Sequence, residues 1–302
     1  MTAGIAYSED SGTDERGIRD GTAAGLLIGI LVCLVVLVTT YGVLIRTGWG
    51  QRLDVQAYFG RVAVARHYQP FNQTILDAVS KGTVLLMAVV IIGIGYLRRS
   101  LLVAVVTVLA WGGAVVGAEV FKATLSRPNL VPEILIDPTS KFLDNTYPSG
   151  HTTITTAFGL ALVLLAPVRW RPWVGVGAGV LSAAYAGAVL FAGWHRPSDA
   201  IGAIAWCGFT MSIAAVLALW WRGKAQPAVP YPRRAVAASA FLAVALAAIS
   251  WLVALNTSDE LPDADIAFLW MTVAIVTCSF SVTAWFSWQL RSVDWVDPEL
   301  SA

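Results

Sequence analysis

Long apolar stretches separated by short polar connections dominate this chain. Eight of them, at about residues 22–45, 83–97, 100–121, 152–168, 172–193, 200–221, 235–255 and 266–290, reach or approach the roughly 20 apolar residues that a helix needs to cross a bilayer. The pattern predicts an all-α fold, a polytopic membrane helical bundle. With an even number of spans, both termini return to one side. A single composition break interrupts the series, the basic stretch 222–234 with Pro227, Pro230 and Pro232. It divides the expected organisation into a disordered tail over 1–21, a six-helix core over 22–221, a linker over 222–234, an additional helix pair within 235–290 and a tail over 291–302.

Composition agrees with a bilayer setting, since 57% of the residues are hydrophobic and 13% are charged, against about 25% charged in soluble domains. The net charge of +1 lacks the basic excess that nucleic-acid binding requires, so no nucleic-acid partner is expected. Cys33, Cys207 and Cys278 all fall inside apolar stretches, the setting of small buried hydrophobes and not of a disulfide framework or a metal set. The first 21 residues are polar and acidic and lack the basic start and apolar centre of a secretory signal. Arg98, Arg99, Arg169, Arg171, Arg222, Lys224, Arg233 and Arg234 fall on one side of the expected bundle. By the positive-inside rule that side, with both termini, is cytoplasmic, in a multi-pass protein of the plasma membrane. Most of the thirteen tryptophans lie near span ends, as interfacial belts do.

Two of the three histidines sit in polar islands between apolar stretches: Pro148-Ser149-Gly150-His151 and His195-Arg196-Pro197-Ser198-Asp199. Both islands follow outward-going spans and so face the external side. Pro148, Ser149 and Gly150 read as a helix start with Ser149 as a possible cap, and backbone N–H groups at such an end point at a bound anion. His195 and Asp199 are four residues apart, which on a helix puts the carboxylate beside the imidazole, able to hold one ring nitrogen protonated and leave the other as a nucleophile. Lys122 and Arg127 close the third span on the same membrane face. Charges at bilayer depth cost roughly 2.5–3.5 kcal/mol each, so these cations and Asp199 require partners or a ligand. A phosphate would satisfy the cations; the alternative for Lys122 is snorkelling to the interface, paired with Glu119 on the same helical face. His67 has no motif around it and reads as solvated. The chain contains no G-x-x-x-x-G-K, no H-E-x-x-H and no Cys/His cluster of metal spacing.

This arrangement resembles the type-2 phosphatidic acid phosphatase family, in layout over about residues 22–221 and in motif over three short patches. The resemblance implies a six-helix phosphatase core and metal-independent, cofactor-free cleavage of a lipid phosphomonoester or pyrophosphate, with membrane lipids as surroundings. It implies His195 as the nucleophile that forms a phosphohistidine, Asp199 as its orienter and His151 as the acid for the leaving oxygen. It further implies Lys122, Arg127, Ser149 and Gly150 as phosphate ligands. Two places depart from the family pattern. The arginine seven residues after the first-patch lysine is Asn129, followed by Leu130, with Arg127-Pro128 two residues early; the Ser-Arg that opens the third patch is Ala188-Val189. Arg196 is the candidate replacement for that missing charge. Transfer of the phosphoryl group to an alcohol, or a catalytically silent binding or transport role, are the alternatives to hydrolysis.

Overall fold

The computed structural model describes residues 9–65, 74–131, 144–222, 224–225 and 263–295. The expected span 235–255 and His67 lie outside them. Among the described residues the protein is an all-α polytopic bundle. Its long helices are α1 (Glu9–Thr39, extended by a π-helical turn over Thr40–Ile45), α2 (Gly48–Ala65), α3 (Lys81–Leu97), α4 (Leu101–Thr124), α5 (Gly150–Leu165), α6 (Arg171–Phe191), α7 (Pro197–Arg222) and α8 (Ala264–Gln289). Five of these, α1, α4, α6, α7 and α8, are long and apolar enough to cross a membrane, and α3 and α5 are shorter apolar helices.

The boundaries follow local chemistry. Ser80 caps α3 in a reciprocal box with Thr83 and Ser149 caps α5, each meeting amide groups that have no partner within the helix, while Pro172 in the first turn of α6 removes one such amide. Two differences from the hydrophobic pattern have simple causes. Helix α1 starts at Glu9, inside the expected tail, because apolarity marks the bilayer segment and not the whole helix. Helix α2 falls in an expected loop, because Gln51, Arg52, Asp54 and Gln56 make it too polar to read as a span.

Helices α5 and α7 form the centre. Helix α5 buries a run from Thr152 to Leu165 and packs on α6, α7 and α4. Gly159 permits the tight crossing with α6, since a Cβ there would stand 2.9 Å from that of Ala178. Helix α8 packs on α6, α7 and α2 and so completes the same core instead of standing apart. Outward-facing rows such as Leu27, Leu31 and Val35 on α1, Leu85 and Val89 on α3, and Leu109 and Val116 on α4 are exposed. In a membrane protein such rows face lipid tails, which are as apolar as the side chains themselves.

The bundle has two polar ends. At one, the fully buried Arg171 donates to the carbonyls of Val163, Ala166 and Val293 at 3.2, 2.8 and 2.8 Å, and also to that of Leu290. These carbonyls close α5 and α8, where helix ends leave acceptors unmatched. A two-residue antiparallel pairing of Lys224–Ala225 with Val293–Asp294 seals this end. The other end gathers α2, the last turn of α4, the first turns of α5 and α7 and the end of α6.

Arg171→Met should therefore orphan several buried carbonyls at two helix ends and lower stability by about 3 kcal/mol. Thermal unfolding of the purified protein in detergent, followed by tryptophan fluorescence, should shift down by several degrees. An unchanged transition would mean that the carbonyls find other donors.

Candidate active site

Helix α7 begins where α6 ends, and the turn between them carries His195. Gly193 has a positive φ of 71°, and the amides of Trp194 and His195 both donate to the Val189 carbonyl, at 3.0 and 3.3 Å. The chain thus reverses tightly and delivers His195 directly before the first turn of α7, where Asp199 sits. The expected pairing forms: His195 Nδ1 lies 3.3 Å from Asp199 Oδ2. With Nδ1 turned to Asp199, the imidazole nitrogen left for chemistry is Nε2, whose lone pair is free when Nδ1 carries the proton.

Asp199 is fully buried and saturated. Its Oδ2 also accepts from Thr146 Oγ1 at 2.6 Å and from the Arg196 amide at 3.1 Å. Its Oδ1 accepts from Arg127 Nη2 at 2.6 Å, a charge-assisted bond of the strong kind. The backbone carbonyl of Asp199 accepts from the Ser149 amide at 2.9 Å, which brings the two histidine motifs together.

On the α5 side, Ser149 is fully buried, and its hydroxyl accepts from Thr152 Oγ1 at 3.1 Å and caps the helix through the Thr152 amide. Both polar groups of Ser149 are thus engaged within the protein. His151 lies in the first turn, half-buried, edge-on to the Trp194 ring with centroids 5.3 Å apart. It is within electrostatic range of His195 and Lys122. Lys122 pairs with Glu119 at 2.7 Å, the partner expected for a snorkelling lysine. That ammonium nevertheless lies against α5, because a Cβ on Gly150 would stand 3.2 Å from Lys122 Nζ. The absence of a side chain at 150 is what lets the cation reach the amide end of the helix.

Arg127 and Arg196 occupy a different layer. Their residues are 9% and 4% exposed, and besides Asp199 they meet a carboxylate that sequence reasoning missed, Asp54 on α2. Asp54 is 1% exposed; it accepts from the Ser198 amide at 2.9 Å and from the Ser198 hydroxyl at 2.7 Å, and lies 3.8 Å from Arg127 Nη1. Burial pushes the Asp54 carboxyl up, and Arg127 opposes that shift; both of its oxygens act as acceptors, as an ionised group requires. Burial, with the neighbouring Arg127, lowers Arg196 to about 10, so it remains a cation at neutral pH. Two arginines and two aspartates thus stand together in the interior, pairing two formal positive with two formal negative charges. Val189 is fully buried beside Leu76 and Ala188, so an arginine there would meet an apolar wall. Asp54 was hidden from sequence because no motif surrounds it; the one available signal is an acid on the buried face of a helical repeat with Gln51 and Tyr58.

Among the described residues, no cluster of three or more His, Cys, Asp or Glu side chains has an arrangement for a metal ion. Residues 99–224 match the family model described as the PAP2 superfamily. No curated protein and no solved structure matches the chain.

Removing the Ser149 hydroxyl tests its part directly. Ser149→Ala should lower stability by about 1 kcal/mol through loss of the cap while changing competitive inhibition by inorganic phosphate less than about twofold. Inhibition weakened tenfold at unchanged melting temperature would instead make the hydroxyl an anion ligand.

Proposed function

We propose that this chain, whose residues 99–224 match the PAP2 superfamily model and which has, among its described residues, five helices long and apolar enough to cross a membrane, is a membrane-held phosphatase that hydrolyses a lipid phosphomonoester or pyrophosphate through a phosphohistidine on His195. The observation that carries this reading is the pairing of His195 Nδ1 with the buried Asp199 at 3.3 Å, beside His151 and Lys122.

In the first step, Nε2 of His195 attacks phosphorus, the bond from phosphorus to the leaving oxygen breaks, and His151 gives that oxygen its proton. Asp199 steadies the positive charge that the phosphorylated imidazole carries. In the second step, water attacks phosphorus and gives its proton to His151, the N–P bond breaks, and phosphate departs with both imidazoles restored. Lys122 and the amide groups of Gly150 and His151 at the start of α5 hold the phosphate oxygens. Lys122 and these amides do the work of charge neutralisation, and the reading routes no step through a metal.

Arg127 and Arg196 are assigned to the layer below, balancing Asp54 and Asp199 instead of binding phosphate; their burial and their carboxylate neighbours support this. Arg196 in this reading does not replace the charge absent at Val189. A lipid substrate is supported by the setting, a polar site at the end of bilayer-length helices whose flanks are apolar. The external leaflet of the plasma membrane is the proposed side, with both termini cytoplasmic, supported by the opposite end carrying Arg98, Arg99, Arg169 and Arg171.

Phosphate release from phosphatidic acid, phosphatidylglycerol phosphate and polyprenyl phosphates, by purified protein in detergent with a chelator present, tests the reading. His195→Ala should lose at least about a thousandfold in turnover and should no longer trap labelled phosphoenzyme; undiminished turnover would remove His195 from the mechanism. His151→Ala should lose about 10²–10⁴-fold on a lipid ester but far less on an aryl phosphate, whose leaving group needs little protonation. Equal losses on both substrates would count against the acid role.

A further inference from the structure

Helix α2 lies outside the matched segment 99–224, yet one of its faces is committed to the catalytic end. Gln51, Asp54 and Tyr58 are three and four residues apart, so they share a helical face, and all are buried, at 3%, 1% and 6% exposure. Each holds the backbone of a segment that carries a site residue. Gln51 Nε2 donates to the Pro128 carbonyl at 2.6 Å, and its Oε1 accepts from the Leu130 amide at 3.1 Å, fixing the chain just after Arg127. Asp54 holds Ser198 through both amide and hydroxyl. Tyr58 Oη donates to the Gly193 carbonyl at 3.0 Å.

The attachment points at Gly193 and Ser198 bracket His195 on both sides. Gly193 is the positive-φ residue of the turn, and Ser198 precedes Asp199. The opposite flank of α2 packs its apolar residues elsewhere: Leu53 and Ala57 meet Ala267 and Met271 of α8. That division separates an apolar packing flank from a polar one whose long-range hydrogen bonds reach site-bearing backbone, with Gln51 Nε2 also donating to the Ile45 carbonyl at 2.7 Å.

We propose that α2 is a positioning element for the nucleophile, in which Asp54 and Tyr58 pin the two ends of segment 193–198 and Gln51 and Asp54 together set Arg127 against Asp199. None of the three is a catalytic residue; they act through Ser198, Gly193 and Arg127. The inference rests on the reading of His195 as nucleophile. Asp54 has an electrostatic role as well, since it supplies one of the two negative charges of the cluster. Asp199 on α7 pairs with His195, and His151 on α5 lies within its electrostatic range; behind Asp199 stand Arg127 and Arg196 in the loops and Asp54 on α2, Tyr58 and Arg61 of α2 reach Gly193, and Lys122 with Glu119 on α4 lies near His151. Removing the charge of Asp54 leaves the buried cluster with excess positive charge, which disfavours the imidazolium of His195.

The test uses the full chain, purified in detergent, with Asp54→Asn, Tyr58→Phe and Leu53→Ala. Asp54→Asn should lower kcat about 10–100-fold and Tyr58→Phe about 3–10-fold, each with KM changed less than about twofold, because a misplaced nucleophile affects the transition state more than binding. Leu53→Ala should lower the melting temperature and leave kcat unchanged. In parallel, ¹⁵N-histidine NMR, with His195 assigned by its absence in His195→Ala, should show His195 taking its proton about one pH unit lower in Asp54→Asn than in wild type, and unshifted in Leu53→Ala. Wild-type kcat in both Asp54→Asn and Tyr58→Phe, or a His195 titration unmoved by Asp54→Asn, overturns the proposal. If Asp54→Asn does not fold, Tyr58→Phe decides by its kcat. If wild type releases no phosphate from any substrate, the phosphatase reading fails while the titration still decides whether Asp54 governs His195.

Discussion

Asp199 is the residue on which the catalytic end depends. A carboxylate removed entirely from water is costly unless its charge is opposed and its oxygens are satisfied, and here Arg127, Thr146, the Arg196 amide and His195 perform that task. Each of those partners is thereby held in place. Because the main-chain carbonyl of the same residue takes the Ser149 amide, the start of α7 and the start of α5 are fastened together. The two histidine motifs are joined through one buried aspartate.

Helix direction adds a second constraint. Both α5 and α7 begin at the catalytic end, so their positive ends and free amides are directed there. Helix α4 finishes there with Lys122 in its last turn, where a cation suits the negative end of the helix. Glu119 shares that ammonium with the start of α5, and Gly150 leaves the room. In the proposed reading phosphate is held largely by helix termini, an economical solution inside a membrane, where additional charges would each need a partner.

The layered arrangement gives the four buried charges a common logic. Two arginines without carboxylates would repel each other and draw anions into the core; two aspartates without arginines would take up protons. Together their formal charges balance, and α2 supplies one of the four members. The segment that carries all three sequence motifs is therefore incomplete without a helix contributed from earlier in the chain.

Much of this was legible in sequence because its causes are local. A run of some twenty apolar residues favours a helix in a bilayer whatever surrounds it, so seven of the expected spans recur as helices, six with ends shifted by a few residues and α1 extended well into the expected tail. The i to i+4 spacing of His195 and Asp199 needs only a turn that leads into a helix. Ser149 before an apolar run is a cap by the same local rule. What tertiary structure alone decided is who meets whom across distance. Asp54 stands 144 residues before its partner Ser198, and no period or motif connects them. Arg127 was itself an expected phosphate ligand, yet it donates to Asp199, because a fully buried carboxylate demands a cation. Val189 was visible as a missing arginine; that the position faces an apolar wall required the packing of α6 beside Leu76. Sequence determines each residue's chemistry and local conformation, and the balance of buried charge, a sum over the whole fold, determines its partner.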